Sequence, residues 1–390
     1  MYHRPTGPLA SPTYAWVPGL ASLARDDNLY SDARHEMVPR MTKTALIAGA
    51  GGAASKRLID VLLADPEWSV IALARTPRAS AERLRWVSAD LLDADACRDA
   101  PGAHRDVTHI FYTARAKHGE TGLESVEDNV AMLRHALDAV EPAANLAHVH
   151  LVEGTKWYGM HLGPFPTPAR EDDDIRHLPP NFYYAQEDLL AERQRGRRWT
   201  WSASRPNYIC DFAPERARNA VTVIGAYAAI ARELGVPLNF PGHPAAFEAL
   251  RDMTDASLLA RAMVFIATNP ACANEAFNVT NGDAFRWRTL WPKIGAHFGV
   301  AAGIARPLKV AEWMRDKQPV WDAIVRRHGL IEPKLDGVAD WAFADFMWSH
   351  DYDVVSGTTK LRRAGFHETI DTGEMLFSHL TRYHEAKILP

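Results

Sequence analysis

Cysteine is scarce: Cys97, Cys210 and Cys272 are the only three in 390 residues. An odd set without CxxC spacing excludes a disulfide framework and a zinc ribbon. It points to a reducing compartment, with a cytoplasmic location expected. No apolar run approaches the ~20 residues of a membrane helix, so no membrane partner is expected. A basic excess is also missing: 44 Lys and Arg face 48 Asp and Glu, a net charge of −4. That argues against a nucleic-acid partner. The histidines are dispersed without an HExxH-like pair, so no metal site is expected. What remains is an ordinary folded composition, 47% hydrophobic and 24% charged, long enough for two or three lobes.

Residues 1–40 hold Pro5, Pro8, Pro12, Pro18 and Pro39, with no steady hydrophobic period and no signal-peptide pattern. They are expected to form a loose tail or to precede a start at Met41. The other reading is an arm that docks through Tyr14, Trp16 and Tyr30.

The nucleotide end follows. Thr44–Ala48 reads as a buried strand, then come Gly49-Ala50-Gly51-Gly52-Ala53-Ala54-Ser55 and a helical spacing over Lys56–Leu63. Strand, glycine turn and helix are the context of a dinucleotide fingerprint. Gly49, Gly51 and Gly52 let the backbone turn and approach a pyrophosphate. Ala53 opens a helix whose free N–H groups and dipole attract the anion. Ser55, small, replaces the last glycine of the pattern. The next strand, Ser69–Leu73, ends at Arg75-Thr76-Pro77-Arg78. An NAD enzyme usually places an acid there for the ribose 2′-hydroxyl; Arg75 and Arg78 suit a 2′-phosphate, so NADP(H) is the expected cofactor. Trp86–Leu91 is a short strand ending in Asp90-Leu91, where an acid can meet the adenine amino group. Val107–Ala114 is another, with Thr113 and Ala114 at the carboxyl end that faces the nicotinamide. Asn129, on the helix Val126–Ala139, is either a polar plug or a proton-relay member.

The pattern predicts an α/β fold. A Rossmann-type doubly wound parallel sheet takes residues 41–210 and binds the nucleotide. A smaller, mainly helical C-terminal substrate lobe takes residues 211–390, interleaved with it. In that lobe Ala220–Leu234 reads as a helix, Phe247–Ile266 holds another, and the rest is rich in Trp.

The strand His148–Val152 runs into Glu153-Gly154-Thr155-Lys156-Trp157-Tyr158. Asn181-Phe182-Tyr183-Tyr184-Ala185-Gln186-Glu187-Asp188 opens a helix, and Thr200–Pro206 is the next strand. Short-chain dehydrogenases of the extended type carry an active-site Tyr followed four residues later by Lys. Here Tyr184 is followed by Asp188, while a basic residue stands at Lys156. This exchange resembles the progesterone 5β-reductase/iridoid synthase-like family of that superfamily. Similar segments are Trp201-Ser202-x-x-Arg205-Pro206, Pro237–Gly242, Asp252-x-x-Asp255-Ala256, Asn274–Asn278, Asn281–Trp287 and Lys317-x-Pro319-Val320-Trp321. The likeness spans about residues 42 to 390.

The resemblance implies NADPH-dependent 1,4-reduction of a C=C bond conjugated to a carbonyl, in an enone or enal. Tyr184 and Lys156 would be catalytic and Tyr208 and Ile209 would lie near the nicotinamide. Trp341, Phe343 and Phe346 would line the substrate pocket. The chemistry fits independently: hydride on the β carbon develops charge on the carbonyl oxygen, and a phenol beside an ammonium stabilises it. Two alternatives stand. One is an NAD(P)H-dependent carbonyl reductase, epimerase or dehydratase; Asp188 weighs against an epimerase. The other is a non-catalytic NADP(H) sensor, disfavoured by the presence of both Tyr184 and Lys156. Arg115 stands where the family has Trp, followed by Lys117 and His118, which suggests a substrate bearing a carboxylate or other polar group. Trp157 replaces a family His and adds apolar bulk near the site. A homodimer is left open.

Overall fold

Ala45, Leu46, Ile47 and Ala48 are all buried, although alternate residues of a strand point to opposite faces. A strand apolar on both sides belongs in a sheet covered on both sides. It is β1, Lys43–Ala48. The structure, a computed structural model, describes residues 43–100, 105–116, 124–142, 145–173, 175–177 and 181–390. The N-terminal tail, Lys117 and His118 lie outside the described residues. Among these residues no helix is long and apolar enough to cross a membrane.

The other strands are β2 (Trp68–Ala74), β3 (Leu84–Ser88), β4 (His109–Tyr112), β5 (His148–Val152), β6 (Thr200–Pro206) and a seventh, Glu275–Val279. All pair in parallel, in the order seventh, β6, β5, β4, β1, β2, β3. The order reverses between β1 and β4, and in such sheets ligands bind at the carboxyl ends beside that point. Two expected strands are shorter than read. β3 stops at Ser88 because Asp90–Asp93 turns into α2 (Ala94–Asp99), capped by Asp93. β4 is regular only over His109–Tyr112.

α1 (Ala53–Ala64) and a helix over Ala256–Thr268 cover one face, where Leu58, Leu62, Phe111, Leu259 and Met263 are buried together. α3 (Val126–Val140) and α4 (Phe182–Gln194) cover the other, over Leu46, Tyr112, Leu137, Leu151 and Leu190. Three buried histidines also lie within the sheet. His148 bonds Thr200 and Ser202, His150 bonds Ser202 and Ser204, and His109 bonds Thr108.

After β6 the chain builds a helical layer around α5 (Ala220–Glu233), whose residues are buried from Ala220 to Ala231. Trp287, Trp291 and Trp348 pack edge-on beside it at 5.7–6.5 Å. Within Phe247–Ile266 the expected helix starts at Ala256 and runs to Thr268. Leu250–Arg251 and Thr254–Asp255 are extended pairs, and Asp255 caps that helix by accepting from Ser257 and Leu258 N–H.

Candidate active site

The glycine turn sits at the switch point. Gly49 has φ +90°, and a Cβ there would lie 2.6 Å from the Ala114 backbone nitrogen. Only glycine permits this approach of β1 to the end of β4. Gly52 is the N-cap of α1 and supplies no side-chain cap, so the first N–H groups of the helix are left for a ligand. Ser55 does more than fill the place of a glycine. It is fully buried, donates to the Gly49 carbonyl at 3.0 Å and meets the Thr113 hydroxyl at 2.8 Å. Thr113 is thereby spent on joining α1 to β4, while Ala114 abuts Gly49.

Arg75, Thr76 and Arg78 are exposed at the end of β2, as a phosphate site requires. The Asp90 carboxylate caps its own turn by accepting from Leu92 N–H at 3.1 Å, and Leu91 is buried with its carbonyl on His135. The open glycine turn, the uncapped helix and these guanidinium groups together fit a dinucleotide, with Gly49, Gly51, Gly52, Ala53, Arg75 and Arg78 as the residues that would hold it.

Beyond β5 the chain makes a 3₁₀ turn over Thr155–Tyr158. Asn181 explains why this turn and α4 meet. Its amide donates to the Lys156 carbonyl at 2.8 Å, and its side-chain oxygen caps α4 by accepting from Tyr183 N–H. One residue therefore fixes the backbones of the candidate lysine and the candidate tyrosines. Lys156 Nζ lies 2.8 Å from Glu124 Oε1, and Arg115 Nη1 lies 3.4 Å from the same oxygen. Sequence reading missed Glu124, which lies just before α3 with no motif to mark it. Burial pushes its carboxyl up, but the Lys156 and Arg115 charges outweigh this and hold it below the ordinary value of 4.5.

The two tyrosines part company. The Tyr184 hydroxyl is placed against the backbone carbonyls of Trp157, at 2.5 Å, and Ile175, at 2.8 Å. The Tyr183 hydroxyl bonds no described residue. It stands at Gly154, where a Cβ would lie 3.3 Å from it and 3.5 Å from the Pro206 carbonyl. Burial raises the Tyr183 phenol's pKa, Arg115 lowers it, and Glu124 and Glu153 raise it further. It therefore stays protonated at neutral pH, as a donor must.

The remaining residues sort by contact. Tyr208 stands among Phe343, Phe346 and His350, with ring centres 6.3–6.5 Å away, and its hydroxyl meets His350 at 3.1 Å. Lys156 Nζ is 5.9 Å from the Phe346 ring, so this aromatic wall borders the lysine. Ile209 is half-buried in a short strand paired with Thr254–Asp255. Trp341 packs into the helical core. Trp157 packs in the aromatic cluster with Tyr158, Phe182, Tyr183 and Tyr184. Its buried ring carries the Arg205 guanidinium at 3.7 Å and the Tyr184 ring at 4.5 Å. Arg205 is itself buried between Glu153 and Glu187. Asn129 is the polar plug: it accepts from Ala116 N–H, donates to the Ser125 carbonyl, and its own carbonyl accepts from Gln186. Asp188 pairs with Arg176 at the surface.

This combination of sheet order, glycine turn and lysine turn defines a Rossmann-type fold of the short-chain dehydrogenase/reductase kind. The protein RMD of Pseudomonas aeruginosa, solved in complex with NADPH, superposes with a TM-score of 0.60 at 15% identity, over 88% of this chain and 98% of its own. The model of the PRISE-like Rossmann-fold domain matches residues 87–390. The (S)-8-oxocitronellyl enol synthase of Nepeta racemosa is 36% identical over 370 residues, covering 89% of this chain and 93% of its own. The 3-oxo-Δ(4,5)-steroid 5β-reductase of Arabidopsis thaliana is 35% identical over 369 residues, with the same coverage. The chain belongs to the PRISE-like family.

Proposed function

We propose that the protein is an NADPH-dependent reductase that saturates a C=C bond conjugated to a carbonyl. The carrying observation is the Lys156–Glu124 pair beside Tyr183 and the Tyr208–Phe343–Phe346 wall, across the sheet edge from the glycine turn. The names of the enol synthase and 5β-reductase relatives support this class of reaction. Arg75 and Arg78, with no acid at the end of β2, support the phosphorylated dinucleotide.

The reduced nicotinamide supplies the hydride. The chain's own residues bind and orient the enone and receive the charge that develops on its carbonyl oxygen. A phenol donates a hydrogen bond to that oxygen, and Lys156 adds a positive charge that Glu124 holds in place. In this geometry the hydroxyl at the sheet edge belongs to Tyr183, while that of Tyr184 bonds backbone carbonyls. The aromatic wall provides the apolar flank for the substrate.

The test is NADPH oxidation with a panel of small enones and enals, followed by product analysis. A saturated carbonyl product supports the reading. An allylic alcohol would move it to carbonyl reduction. Tight nucleotide binding without turnover on any of the panel would count against the assignment.

A further inference from the structure

Glu215 lies among cations at the nucleotide end. Its Oε1 is 3.3 Å from Arg78 Nη2, and Lys56 is a further positive charge acting on it. The next residue, Arg216, reaches over the glycine turn and donates from Nη2 to the Gly51 carbonyl. That same nitrogen, at 3.9 Å, is the one described group within 4 Å of a Cβ built on Gly51. Both side chains are exposed, so no packing holds them there.

The backbone that carries them is anchored from behind. Asp211 accepts from Arg57 Nε at 2.8 Å, Ala213 N–H donates to the Tyr383 hydroxyl at 2.8 Å, and Asn219 donates to the Asp211 carbonyl at 2.7 Å while capping α5. The segment is thus a fixed arm holding two exposed charged groups over the turn. A carboxylate beside Arg78 occupies the place that a ribose phosphate would need. A guanidinium over Gly51 stands where a pyrophosphate would approach α1.

We infer that residues 213–218 clasp the dinucleotide. Arg216 is a pyrophosphate ligand, shared by both nicotinamide dinucleotides. Glu215 competes with the 2′-phosphate for Arg78 and so sets how strongly the phosphorylated form is preferred. The inference rests on the dinucleotide reading above and adds two residues that the glycine pattern and the β2 arginines do not include.

The experiment is calorimetric titration of the full chain with NADP⁺ and with NAD⁺, for the wild type and for Arg216→Ala, Glu215→Gln and Arg78→Ala. Thermal melts check that each variant is folded. Arg216→Ala should weaken both ligands by about tenfold or more, the scale of one charge-assisted hydrogen bond. Glu215→Gln should tighten NADP⁺ by about two- to fivefold, the scale of an exposed ion pair, and leave NAD⁺ within about twofold. Arg78→Ala should weaken NADP⁺ alone. Unchanged affinities in Arg216→Ala, or an unchanged NADP⁺/NAD⁺ ratio in Glu215→Gln, would overturn the clasp while leaving the dinucleotide reading intact. A wild type that binds neither ligand would overturn both.

Discussion

Glu124 and Lys156 form a 2.8 Å ion pair at the carboxyl edge of the sheet, with side chains 7% and 20% exposed. Lysine on its long stem would otherwise sample many rotamers, and a carboxylate in a partly dry setting holds it. Glu124→Gln keeps the shape and removes the charge. The expected result is a fall in kcat of about tenfold, with the NADPH dissociation constant unchanged. The Glu124 pKa lies below 4.5, so the pair is complete above that pH and is lost only as pH falls through the lowered value. Steady-state rates paired with nucleotide titration check this.

Tyr183 and Tyr184 are adjacent yet have different neighbours. Tyr183→Phe should lower kcat/KM by about 10²–10³, the typical effect of removing one oxyanion donor. Tyr184→Phe should retain most activity and lose about 1 kcal/mol of stability with its carbonyl bonds. The reverse pattern would return the donor role to Tyr184, which the sequence motif favours.

Arg115 shares the Glu124 carboxylate with Lys156, so its charge is partly balanced. Enough remains exposed to meet an anionic substituent. Arg115→Trp should raise KM for carboxylate-bearing enones several-fold more than for neutral ones, roughly the worth of one exposed ion pair. Equal changes for both classes would leave Arg115 as a partner of Glu124 only.

Gly49→Ala tests the turn itself. Its Cβ would collide with the Ala114 backbone, and φ +90° strains any L side chain. We expect a loss of roughly 2 kcal/mol or more in stability, together with loss of nucleotide binding, read by chemical denaturation and titration.

The buried histidines make the fold acid-sensitive. Burial, aided by the Lys43 charge, lowers His109 to about 4; burial alone lowers His150 to about 3. Burial, with the charges of His150 and His109 after it, puts His148 well below its ordinary value. In the unfolded chain each takes up a proton near pH 6.5. The unfolded state therefore binds more protons below that pH, and stability should drop steadily from about pH 6.5 to 4. His109 and His150 are each worth on the order of 3 kcal/mol by pH 4. Denaturant titrations across this range check the slope, which His150→Gln should reduce by about one proton.

Local features of the chain carry much of this structure. Gly49 through Ser55, the apolar strands and the basic end of β2 are contiguous stretches whose spacing specifies strand, turn and helix. The doubly wound sheet and the dinucleotide context were therefore legible from residues alone, and Lys156 stood out by its motif. Relations between distant residues were not legible. Glu124 is 32 positions from Lys156, and Arg216 is 165 from Gly51; both pairs form only when sheet strands and the later helical layer converge. The sequence motif favours Tyr184 over its neighbour, but successive helix residues differ by about 100° in direction, and which one faces Gly154 depends on how α4 packs. The contacts of Trp157 with Arg205 and Tyr184 are likewise long-range, and no local pattern marks them. Periodicity and turn chemistry act within a few residues and fix the elements. Ion pairs and ring stacks act through space, so packing alone decides which side chains meet at the site.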